Sequence, residues 1–410
     1  MPSVQVTSEI DPLRAVLVHT PGEELLAVTP GTRKDYLYSD IIDLEFAQRE
    51  HRRLVAVLER FADVYEVGTA LKHVLDRPEA REYVVQHTRD IIPSDALARR
   101  LSETPTDELV ASLIEGVEED AGPIGNALNE IGYSLPPVPN LFFTRDLAIV
   151  LGEHGVIGSM RHGARWSEEM LIKMLFCFHP AFESGGLLYD GSEERRLTYS
   201  LEGGDVHPLR PDLLLLGFSS RSTPAALDLL CDIVFERTAI TDVVVVVMPS
   251  MRSAIHLDMV FTQVDREQCV VYPPAFVGPE RLPVLHRRKG RAEVREMPSF
   301  FEAMKAAGFP LDPVYCGGSH RGVQEREQWA SGCNMLALRP GLAIGYQRND
   351  GTLREFERAG YDVVDAVDFL TGDDSIKPSR KAVITIEGSE LVRGGGGPRC
   401  MTLPLRRDAP

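Results

Sequence analysis

The chain has 410 residues, of which 43% are hydrophobic and 26% are charged, and its formal net charge is −17 at pH 7. These proportions are typical of a folded globular protein with a large hydrophobic core. The acidic balance argues against nucleic acid or an anionic membrane as the partner, because either would require a basic face. It leaves open a local acidic site that attracts a cationic small molecule.

The sequence indicates neither a targeting segment nor a membrane span. Residues 1–6 lack a basic region followed by an apolar core, so we expect no signal peptide. No apolar run approaches the roughly 18 residues that a membrane helix needs. The six cysteines form no CxxC pair and no cluster with histidine at zinc spacing. We therefore predict a cytoplasmic protein with reduced thiols, in which Cys177, Cys231 and Cys269 are small buried side chains.

The chain begins as α/β and then becomes helical. Residues 13–18 predict a strand, residues 40–64 have the apolar spacing of an amphipathic helix, and residues 64–67 predict a second strand. From about residue 70 the strand signals end, and proline-led helix starts recur at positions 78, 93 and 105. The pattern indicates a helical insertion in an otherwise α/β chain.

Strands and helices alternate from residue 140 to the end. Helices are predicted at residues 166–178, where Ser167 is a candidate cap, and at 224–236, 300–307 and 352–359; strands are predicted at 147–151, 213–218, 242–248, 259–264, 335–338, 342–345, 383–386 and 401–405. Units that recur at roughly 50–70 residues indicate a modular α/β fold. We divide the chain into a first α/β part at residues 1–69, a helical insertion at 70–130, and the remaining α/β part at 131–410.

Polar residues are concentrated at the ends of these apolar strands. Asp146 precedes the predicted strand at 147–151, and Glu202 stands before a pair of glycines. His256 and Asp258 are two residues apart, so in extended chain they would point to the same face. Each is unremarkable alone, since a lone His-x-Asp is more often a surface pair or a satisfied polar pair. Their co-occurrence predicts a shared site.

A glycine run near the C terminus carries the last candidate. Gly394–Gly397 precede Cys400 by a few residues, and four consecutive glycines add no packing while permitting close backbone approach or loop movement. Such a loop can present a thiol to a bound substrate as a nucleophile, although a mobile tail with an incidental cysteine would have the same sequence. The rest of the candidate set decides between these interpretations.

One thiol, one imidazole and several carboxylates suit a planar cation. Clustered carboxylates repel one another, and a guanidinium relieves that repulsion while offering N–H donors in a matching fork. A thiolate from Cys400 could attack the central carbon of the guanidinium. His256 could protonate the departing amine and then activate water.

These residues resemble the arginine deiminase family, which belongs to the guanidine-modifying enzymes with the pentein fold. The similarity spans nearly the whole chain, including the helical insertion. The matching motifs are Phe142-Phe143-Thr144-Arg145-Asp146, Leu201-Glu202-Gly203-Gly204-Asp205, His256-Leu257-Asp258, Glu327-Gln328-Trp329 with Asn334, Gly345-Tyr346-x-Arg348-Asn349, and Cys400-Met401-Thr402.

The resemblance implies a fold, an activity and a role for each site residue. The implied fold is a five-bladed α/β-propeller (pentein) with a small helical insertion. The implied activity is hydrolysis of L-arginine, a small-molecule guanidino substrate, to L-citrulline and ammonia through a covalent cysteine intermediate, with no cofactor and no metal. The implied roles are Cys400 as nucleophile, His256 as general acid and then base, Glu202 as its support, Asp146 and Asp258 as guanidinium ligands, Arg165 and Arg221 as α-carboxylate ligands, and Asn140 and Phe143 as pocket lining.

The glycine run departs from the family pattern. Such deiminases usually carry an arginine inside the run and a histidine directly before the cysteine, whereas here Gly394–Gly397 are uninterrupted and Arg399 precedes Cys400. A deiminase acting on another guanidino compound, an amidinotransferase and a non-catalytic relative that retains the pocket are therefore the alternatives. The insertion and the Phe-Thr-Arg-Asp motif favour hydrolysis. Oligomeric state is left open, with a homo-oligomer as one option.

Overall fold

A computed structural model of the chain describes residues 2–128, 132–193, 199–372 and 380–409. Its strands, in chain order, are β1 (Leu13–Val18), β2 (Asp63–Glu66), β3 (Val117–Glu119), β4 (Gly132–Leu135), β5 (Ala148–Leu151), β6 (His154–Ile157), β7 (Leu187–Asp190), β8 (Val206–Arg210), β9 (Leu213–Phe218), β10 (Asp242–Val247), β11 (Phe261–Gln263), β12 (Gln268–Val271), β13 (Val284–Arg288), β14 (Arg295–Met297), β15 (Asp312–Tyr315), β16 (Leu336–Arg339), β17 (Leu342–Tyr346), β18 (Asp362–Asp365), β19 (Ala382–Ile386) and β20 (Leu403–Arg407).

The α-helices lie mostly between paired strands. They are α1 (Leu44–Leu58), α2 (Val67–Leu75), α3 (Pro78–Ile91), α4 (Asp95–Glu103), α5 (Thr106–Glu115), α6 (Gly122–Ala127), α7 (Thr144–Leu147), α8 (Trp166–Phe178), α9 (Pro224–Arg237), α10 (Pro273–Phe276), α11 (Phe300–Ala306), α12 (Arg321–Trp329), α13 (Asp350–Arg358) and α14 (Ala366–Thr371). Short 3₁₀ turns join several of them, including one at Leu257–Met259 and one at Leu391–Gly394.

One module recurs in five of the sheets formed by the described residues. Each contains an antiparallel strand pair and a third strand that runs parallel to the central one: β20-β1-β2, β5-β6-β7, β8-β9-β10, β11-β12-β15 and β16-β17-β19. A parallel neighbour requires a crossover connection, and helices such as α1, α8 and α9 supply it. Five such modules are the five blades of an α/β-propeller.

The two ends of the chain complete one blade together. Strand β20 pairs antiparallel with β1, so that Leu13 lies opposite Arg407 and Leu17 opposite Leu403. The first blade is therefore incomplete until the last strand is in place. Because Cys400 lies three residues before β20, this pairing also fixes where the cysteine emerges.

The core is built from apolar strands that are covered on both sides. Strand β9 reads Leu-Leu-Leu-Leu-Gly-Phe and β10 contains five consecutive valines, and most of these side chains are buried. Near-continuous apolar runs are typical of parallel strands packed on both faces. Helices α2–α5 share a hydrophobic cluster with α8. The division into parts at residues 69/70 and 130/131 stays a prediction, and its second boundary lies outside the described residues.

Several predicted elements are confirmed, and three details are wrong. The strands at 13–18 and 213–218 and the helix at 166–178 have the predicted bounds. Ser167 does not cap that helix, because Arg165 occupies the N-cap position. Cys177 is exposed, since it lies in the last turn of α8, whereas Cys231 and Cys269 are buried as predicted. His256 and Asp258 do not share one extended segment, because His256 is extended but residues 257–259 form a 3₁₀ turn.

None of the helices in the described part of the chain is both long enough and apolar enough to cross a lipid bilayer.

Candidate active site

All nine predicted site residues are buried, and they converge on one small chamber. Seven of them line a cavity of about 30 Å³: Asn140, Phe143, Asp146, Arg165, Arg221, His256 and Cys400. Glu202 contacts His256 and Asp258 contacts Cys400, so these two stand directly behind the lining. Side chains from four of the five blades thus meet at one point.

The thiol of Cys400 is held by Asn334, which lies on the segment between α12 and β16. Asn334 Nδ2 donates to Cys400 Sγ at 3.0 Å, and its Oδ1 accepts from the backbone N–H groups of Cys400 (3.1 Å) and Gly397 (3.2 Å). Nδ2 also donates to the carbonyl of Asp258 at 3.2 Å. One amide therefore fixes the thiol, the end of the glycine run and the turn that carries Asp258.

The surroundings of Cys400 disfavour the thiolate. Burial raises the pKa of the Cys400 thiol well above its usual value, and the carboxylates of Asp258 and Asp146 raise it further. Asp258 Oδ2 lies 3.5 Å from Sγ. The acidic neighbours thus keep the free thiol protonated. A cation entering the chamber would offset these charges and favour the thiolate.

His256 is fixed by Glu202 and faces Asp146. Its Nε2 lies 2.8 Å from Glu202 Oε2, and its Nδ1 lies 3.6 Å from Asp146 Oδ1. Burial disfavours the charged ring, but the neighbouring carboxylates, including these two, outweigh burial and raise the pKa of His256 to about 9. The ring packs over Gly204, where a Cβ would lie 2.5 Å from His256 Cγ, so a side chain there would displace the imidazole.

Each guanidinium-binding candidate has one oxygen that accepts a hydrogen bond from an arginine and one that accepts none, although Asp146 Oδ1 lies within ion-pair distance of His256 Nδ1. Asp146 Oδ2 accepts from Arg165 Nη1 at 2.7 Å, and Asp258 Oδ2 accepts from Arg399 Nη1 at 2.8 Å. Within the described residues, Asp146 Oδ1 and Asp258 Oδ1 are buried and accept no hydrogen bond. Buried polar atoms are rarely left unpaired, so these two oxygens fit a ligand that supplies N–H donors.

The two arginines predicted to bind a carboxylate are engaged with acidic side chains. Arg165 donates to Asp146 and, through Nε, to Glu168 at 2.7 Å. Arg221 Nη1 lies 3.1 Å from Glu202 Oε2, and this arginine also lines a second, larger cavity. Arg221, but not Arg165, therefore lies at the boundary between the chamber and the larger cavity.

The second cavity, of about 720 Å³, adjoins the chamber on the side of the glycine run. The two cavities share Leu37, Arg221, Ile255, Gly394 and Gly395. The inner chamber is far below the roughly 300 Å³ of a typical ligand pocket, whereas the outer cavity exceeds it. Residues 389–397, called the glycine segment below, therefore separate the Cys400 thiol from the outer cavity, which is the entrance to the chamber.

The glycine segment is anchored at both ends and packed closely in between. Glu50 of α1 accepts backbone N–H groups from the three residues 389–391, at 2.8 to 3.2 Å. The amide of Asn334 holds the other end. Between them Gly396 touches Phe143, and a Cβ at Gly396 would lie 2.4 Å from Phe143 Cε1 and 3.0 Å from the Cβ of Cys400. The absence of side chains lets this backbone lie directly over the pocket.

Two residues in direct contact with the site have no role that the sequence predicts. Asn334 belongs to a matching motif, and Arg399 marks a departure from the family pattern. Asn334 lies 66 residues from Cys400 in the chain, so no local spacing connects them. The turn Ser331-Gly332-Cys333-Asn334, at the end of a helix and before an apolar strand, is the one signal that could have found it.

The side chains of Asp146, Glu202 and His256 could together hold a metal ion, since one ligand atom from each lies within 4.8 Å of the others. Their present partners argue for another use. Arg165 binds Asp146 and Arg221 binds Glu202, and each guanidinium offsets the negative charge that would attract a metal. Asp146, Glu202 and His256 are therefore better suited to proton transfer than to metal binding.

The fold is similar to several solved enzymes. The N-terminal domain of ArgZ, an arginine dihydrolase from the ornithine-ammonia cycle in cyanobacteria, aligns with a TM-score of 0.54 and 15% identity over 97% of this chain and 98% of that chain. SxtG, an amidinotransferase from Microseira wollei in the saxitoxin biosynthetic pathway, aligns with a TM-score of 0.54 and 14% identity over 100% and 98%. The five-bladed architecture that this chain shares with them is the pentein fold.

Sequence comparison identifies the family to which the chain belongs. Residues 34–407 match the family model described as arginine deiminase. Proteins named arginine deiminase from Treponema denticola and Listeria monocytogenes are 30% and 31% identical, over 100% and 99% of this chain and 99% and 98% of theirs. One from Rhodococcus opacus is 31% identical over 98% of this chain and 96% of its own length. The chain belongs to the arginine deiminase family.

Proposed function

We propose that the protein hydrolyses the guanidinium group of L-arginine, releasing L-citrulline and ammonia, with Cys400 as the nucleophile. The observation that supports it best is that Asp146 and Asp258 each have one buried carboxylate oxygen that accepts no hydrogen bond within the described residues, close to the His256 imidazole and the Cys400 thiol. A guanidinium offers N–H donors to both oxygens while its central carbon faces the sulfur.

Substrate binding would activate the nucleophile. The cation offsets the carboxylates that keep the Cys400 thiol protonated, so at neutral pH the thiolate forms when substrate is bound and the thiol proton passes to solvent. The thiolate then attacks the guanidinium carbon, and imidazolium His256 gives a proton to the departing amine, which leaves as ammonia. The covalent product is an S-alkylthiouronium on Cys400.

The second half of the reaction would use the same imidazole in reverse. Neutral His256 accepts a proton from water, and the hydroxyl adds to the thiouronium carbon. The C–S bond then breaks with its electron pair on sulfur, which takes up the hydroxyl proton, so the urea carbonyl of citrulline forms and the Cys400 thiol is regenerated. Glu202 keeps the ring oriented through Nε2 and stabilises its charged form. The amino-acid end of the substrate would extend past Arg221 into the outer cavity.

The experiment is a substrate panel scored by citrulline and ammonia. L-Arginine, agmatine, methylated arginines and canavanine are each incubated with wild type and Cys400→Ala, with and without a primary amine acceptor. Hydrolysis predicts equal ammonia and citrulline from arginine, no effect of the amine, and no turnover by Cys400→Ala. Ornithine with a new amidino compound would instead identify an amidinotransferase. Preference for agmatine would remove free arginine as the substrate.

Cys177→Ala is the matched control for the loss of a thiol. Cys177 is exposed on α8 and is not among the residues that line either the chamber or the outer cavity. It should retain wild-type turnover. Mass spectrometry of quenched wild-type reactions should show one adduct with the mass of arginine less ammonia on the peptide that contains Cys400, whereas an amidinotransferase would leave a bare amidino group there.

A further inference from the structure

A second cluster of buried charges lies behind the chamber, centred on Glu9 of the N-terminal segment. Arg399 donates to it bidentately, from Nε to Oε2 at 3.1 Å and from Nη2 to Oε1 at 3.0 Å. Arg145 Nη1 also donates to Oε1, at 3.3 Å. All three residues are almost fully buried, with exposed fractions of 3% or less. One carboxylate thus binds two guanidinium groups.

Each of these arginines directly precedes a residue of the proposed reaction. Arg145 precedes Asp146 and Arg399 precedes Cys400. The backbone N–H of Arg145 donates to the carbonyl of Cys400 at 3.0 Å, and its Nε donates to the carbonyl of Thr402 at 2.9 Å. The two chain segments that carry the nucleophile and a guanidinium ligand are therefore joined to each other and to Glu9.

The third connection reaches the other guanidinium ligand. Arg399 Nη1 donates to Asp258 Oδ2 at 2.8 Å, which leaves Asp258 Oδ1 as the oxygen without a partner among the described residues. The position of Arg399 therefore decides how Asp258 is presented. Its Nη2 donates to the carbonyl of Val206 at 3.0 Å as well, so the guanidinium is fully positioned.

The backbone that carries Glu9 is itself fixed. The N–H of Gln5 donates to the carbonyl of Leu405 at 2.8 Å, and the N–H of Arg407 donates back to Gln5 at 2.8 Å. Val6 and Gly152 exchange two hydrogen bonds, at 2.8 and 2.7 Å. The segment is thereby tied to β20 and to the turn between β5 and β6.

The charges make Glu9 necessary for this arrangement. Arg145 and Arg399 are like charges in a buried space, and Arg407 and His207 lie in the same cluster. Burial and the neighbouring Arg399 lower the pKa of His207 well below its usual value, so the ring is neutral. Glu9 and Asp258 are then the anions that offset Arg145 and Arg399, while Arg407 is offset by Glu9 and Asp11. Without Glu9 the guanidinium groups of Arg145 and Arg399 would repel each other, and Asp258 alone would offset their positive charge.

We propose that Glu9 is a positioning residue for the reaction, which acts through Arg145 and Arg399 to align Asp146, Asp258 and Cys400 around the guanidinium. The proposal rests on the proposed function for the identity of the reaction. Glu9 touches none of the reacting groups, so its effect is on geometry. A displacement of about 1 Å in such a site can reduce the rate by about 100-fold.

The test compares Glu9→Asp, which keeps the charge but is too short to hold both arginines, with Asp11→Asn as control. Asp11 is buried in the same segment, and its Oδ2 has no hydrogen-bond partner in the described part of the chain. Its charge acts on Arg407, whereas the carboxylates that act on Arg145 and Arg399 are those of Glu9 and Asp258. Two quantities are measured: kcat/KM for arginine, and the ratio of Cys400 alkylation rates by a chloroacetamidine, which is a cationic guanidinium mimic, and by neutral iodoacetamide.

For Glu9→Asp we expect kcat/KM to fall at least about 10-fold and the cationic-to-neutral alkylation ratio to fall with it, whereas Asp11→Asn should change neither. A lower melting temperature with an unchanged ratio would mean a merely structural role and would overturn the proposal, as would wild-type kinetics. If Glu9→Asp does not fold, Glu9→Gln, which preserves side-chain volume, is judged by the same two quantities.

The alkylation ratio separates the two proposals. If wild type releases no citrulline from arginine but Glu9→Asp still loses its preference for the cationic reagent, the proposed function fails and the role of Glu9 stands. If wild type is an active deiminase and the ratio is unchanged in Glu9→Asp, the proposed function stands and the proposed role of Glu9 fails.

Discussion

The side-chain amide of Asn334 binds both the side chain and the backbone of Cys400. Its Nδ2 donates to the sulfur at 3.0 Å, and its Oδ1 accepts from the backbone N–H at 3.1 Å. A donor aimed at a thiol stabilises the thiolate more than the neutral form, because charged acceptors make stronger hydrogen bonds. In this site it opposes the carboxylates of Asp146 and Asp258. Asn334 is therefore expected to contribute to nucleophile activation as well as to its placement.

Two substitutions separate these contributions. Asn334→Asp keeps an acceptor for the N–H groups of Cys400 and Gly397 but removes the donor and adds a negative charge next to the sulfur. We expect kcat to fall about 100-fold, which is the usual cost of losing one donor to a developing anion. Asn334→Ala loses the acceptor too and should also lower the melting temperature. Equal kcat values for wild type and Asn334→Asp would show that the donor is irrelevant.

The raised pKa of the Cys400 thiol predicts how the free enzyme reacts with a neutral alkylating reagent. Because burial, Asp258 and Asp146 all favour the protonated thiol, the alkylation rate should keep rising as the pH passes 9 and should not level off below it. Measurements in a Cys177→Ala background avoid the exposed thiol on α8. Addition of guanidinium ion should shift the profile to lower pH. Full reactivity of the free enzyme near pH 6 would contradict this prediction.

Glu202→Gln should move the alkaline limit of activity. Burial lowers the pKa of His256, but Asp146 and Glu202 raise it to about 9, so wild type keeps the imidazolium at neutral pH and loses it as the pH rises through 9. Removing the charge of Glu202 lowers that pKa, and kcat/KM should then decline at a lower pH. The decrease in kcat/KM of Glu202→Gln relative to wild type should be larger at pH 8 than at pH 6 and should reach about 100-fold at pH 8.

Glu168→Gln is the control for that profile. Glu168 is also a buried glutamate, but its partner is Arg165 at 2.7 Å and not the imidazole. It should change kcat/KM without moving the alkaline limit. If both variants shift the profile equally, the limit reports total negative charge in the site rather than the contact between Glu202 and His256.

Sequence reasoning predicts elements well where one pattern dominates. The continuous apolar runs of β9 and β10 and the proline start of α9 can be read from sequence, because burial on both faces and a fixed proline φ leave few alternatives. The turn at residues 257–259 could not be read this way. Its first N–H is held by Asp205 Oδ1 at 2.9 Å, a partner 52 residues away that overrides the extended conformation expected from spacing.

The site residues are predictable as a set, but their connections are not. Cys400, His256 and the carboxylates stand out because reactive polar groups follow apolar strands. Asn334 and Glu9 do not stand out, since their function comes from contacts across 66 and 390 residues of chain. The contact of Glu9 with Arg399 forms only after the first and last strands have paired, so no local pattern predicts it. The motif and the turn at Asn334 mark that residue but not its contact with Cys400.

Gly395 is the glycine whose backbone conformation matters most for access to the chamber. Its φ of +90° lies in the left-handed region, it ends the 3₁₀ turn at Leu391–Gly394, and it lines both cavities. A Cβ there would meet nothing within 4 Å, so Gly395→Ala adds backbone strain without a steric clash. That strain costs roughly 1–2 kcal/mol, and relieving it would move the wall between the thiol and the entrance.

Gly360→Ala provides the matched comparison. Gly360 has a φ of +87°, a Cβ at this position would also meet nothing within 4 Å, and the residue follows α13 outside both cavities. The two variants should lose similar amounts of stability in thermal unfolding, but only Gly395→Ala should lose kcat/KM for arginine, by about 10-fold or more because the reacting groups are misaligned. Equal activity of the two variants would mean that the glycine segment tolerates ordinary backbone geometry, and its glycines would then be needed only for close packing against Phe143.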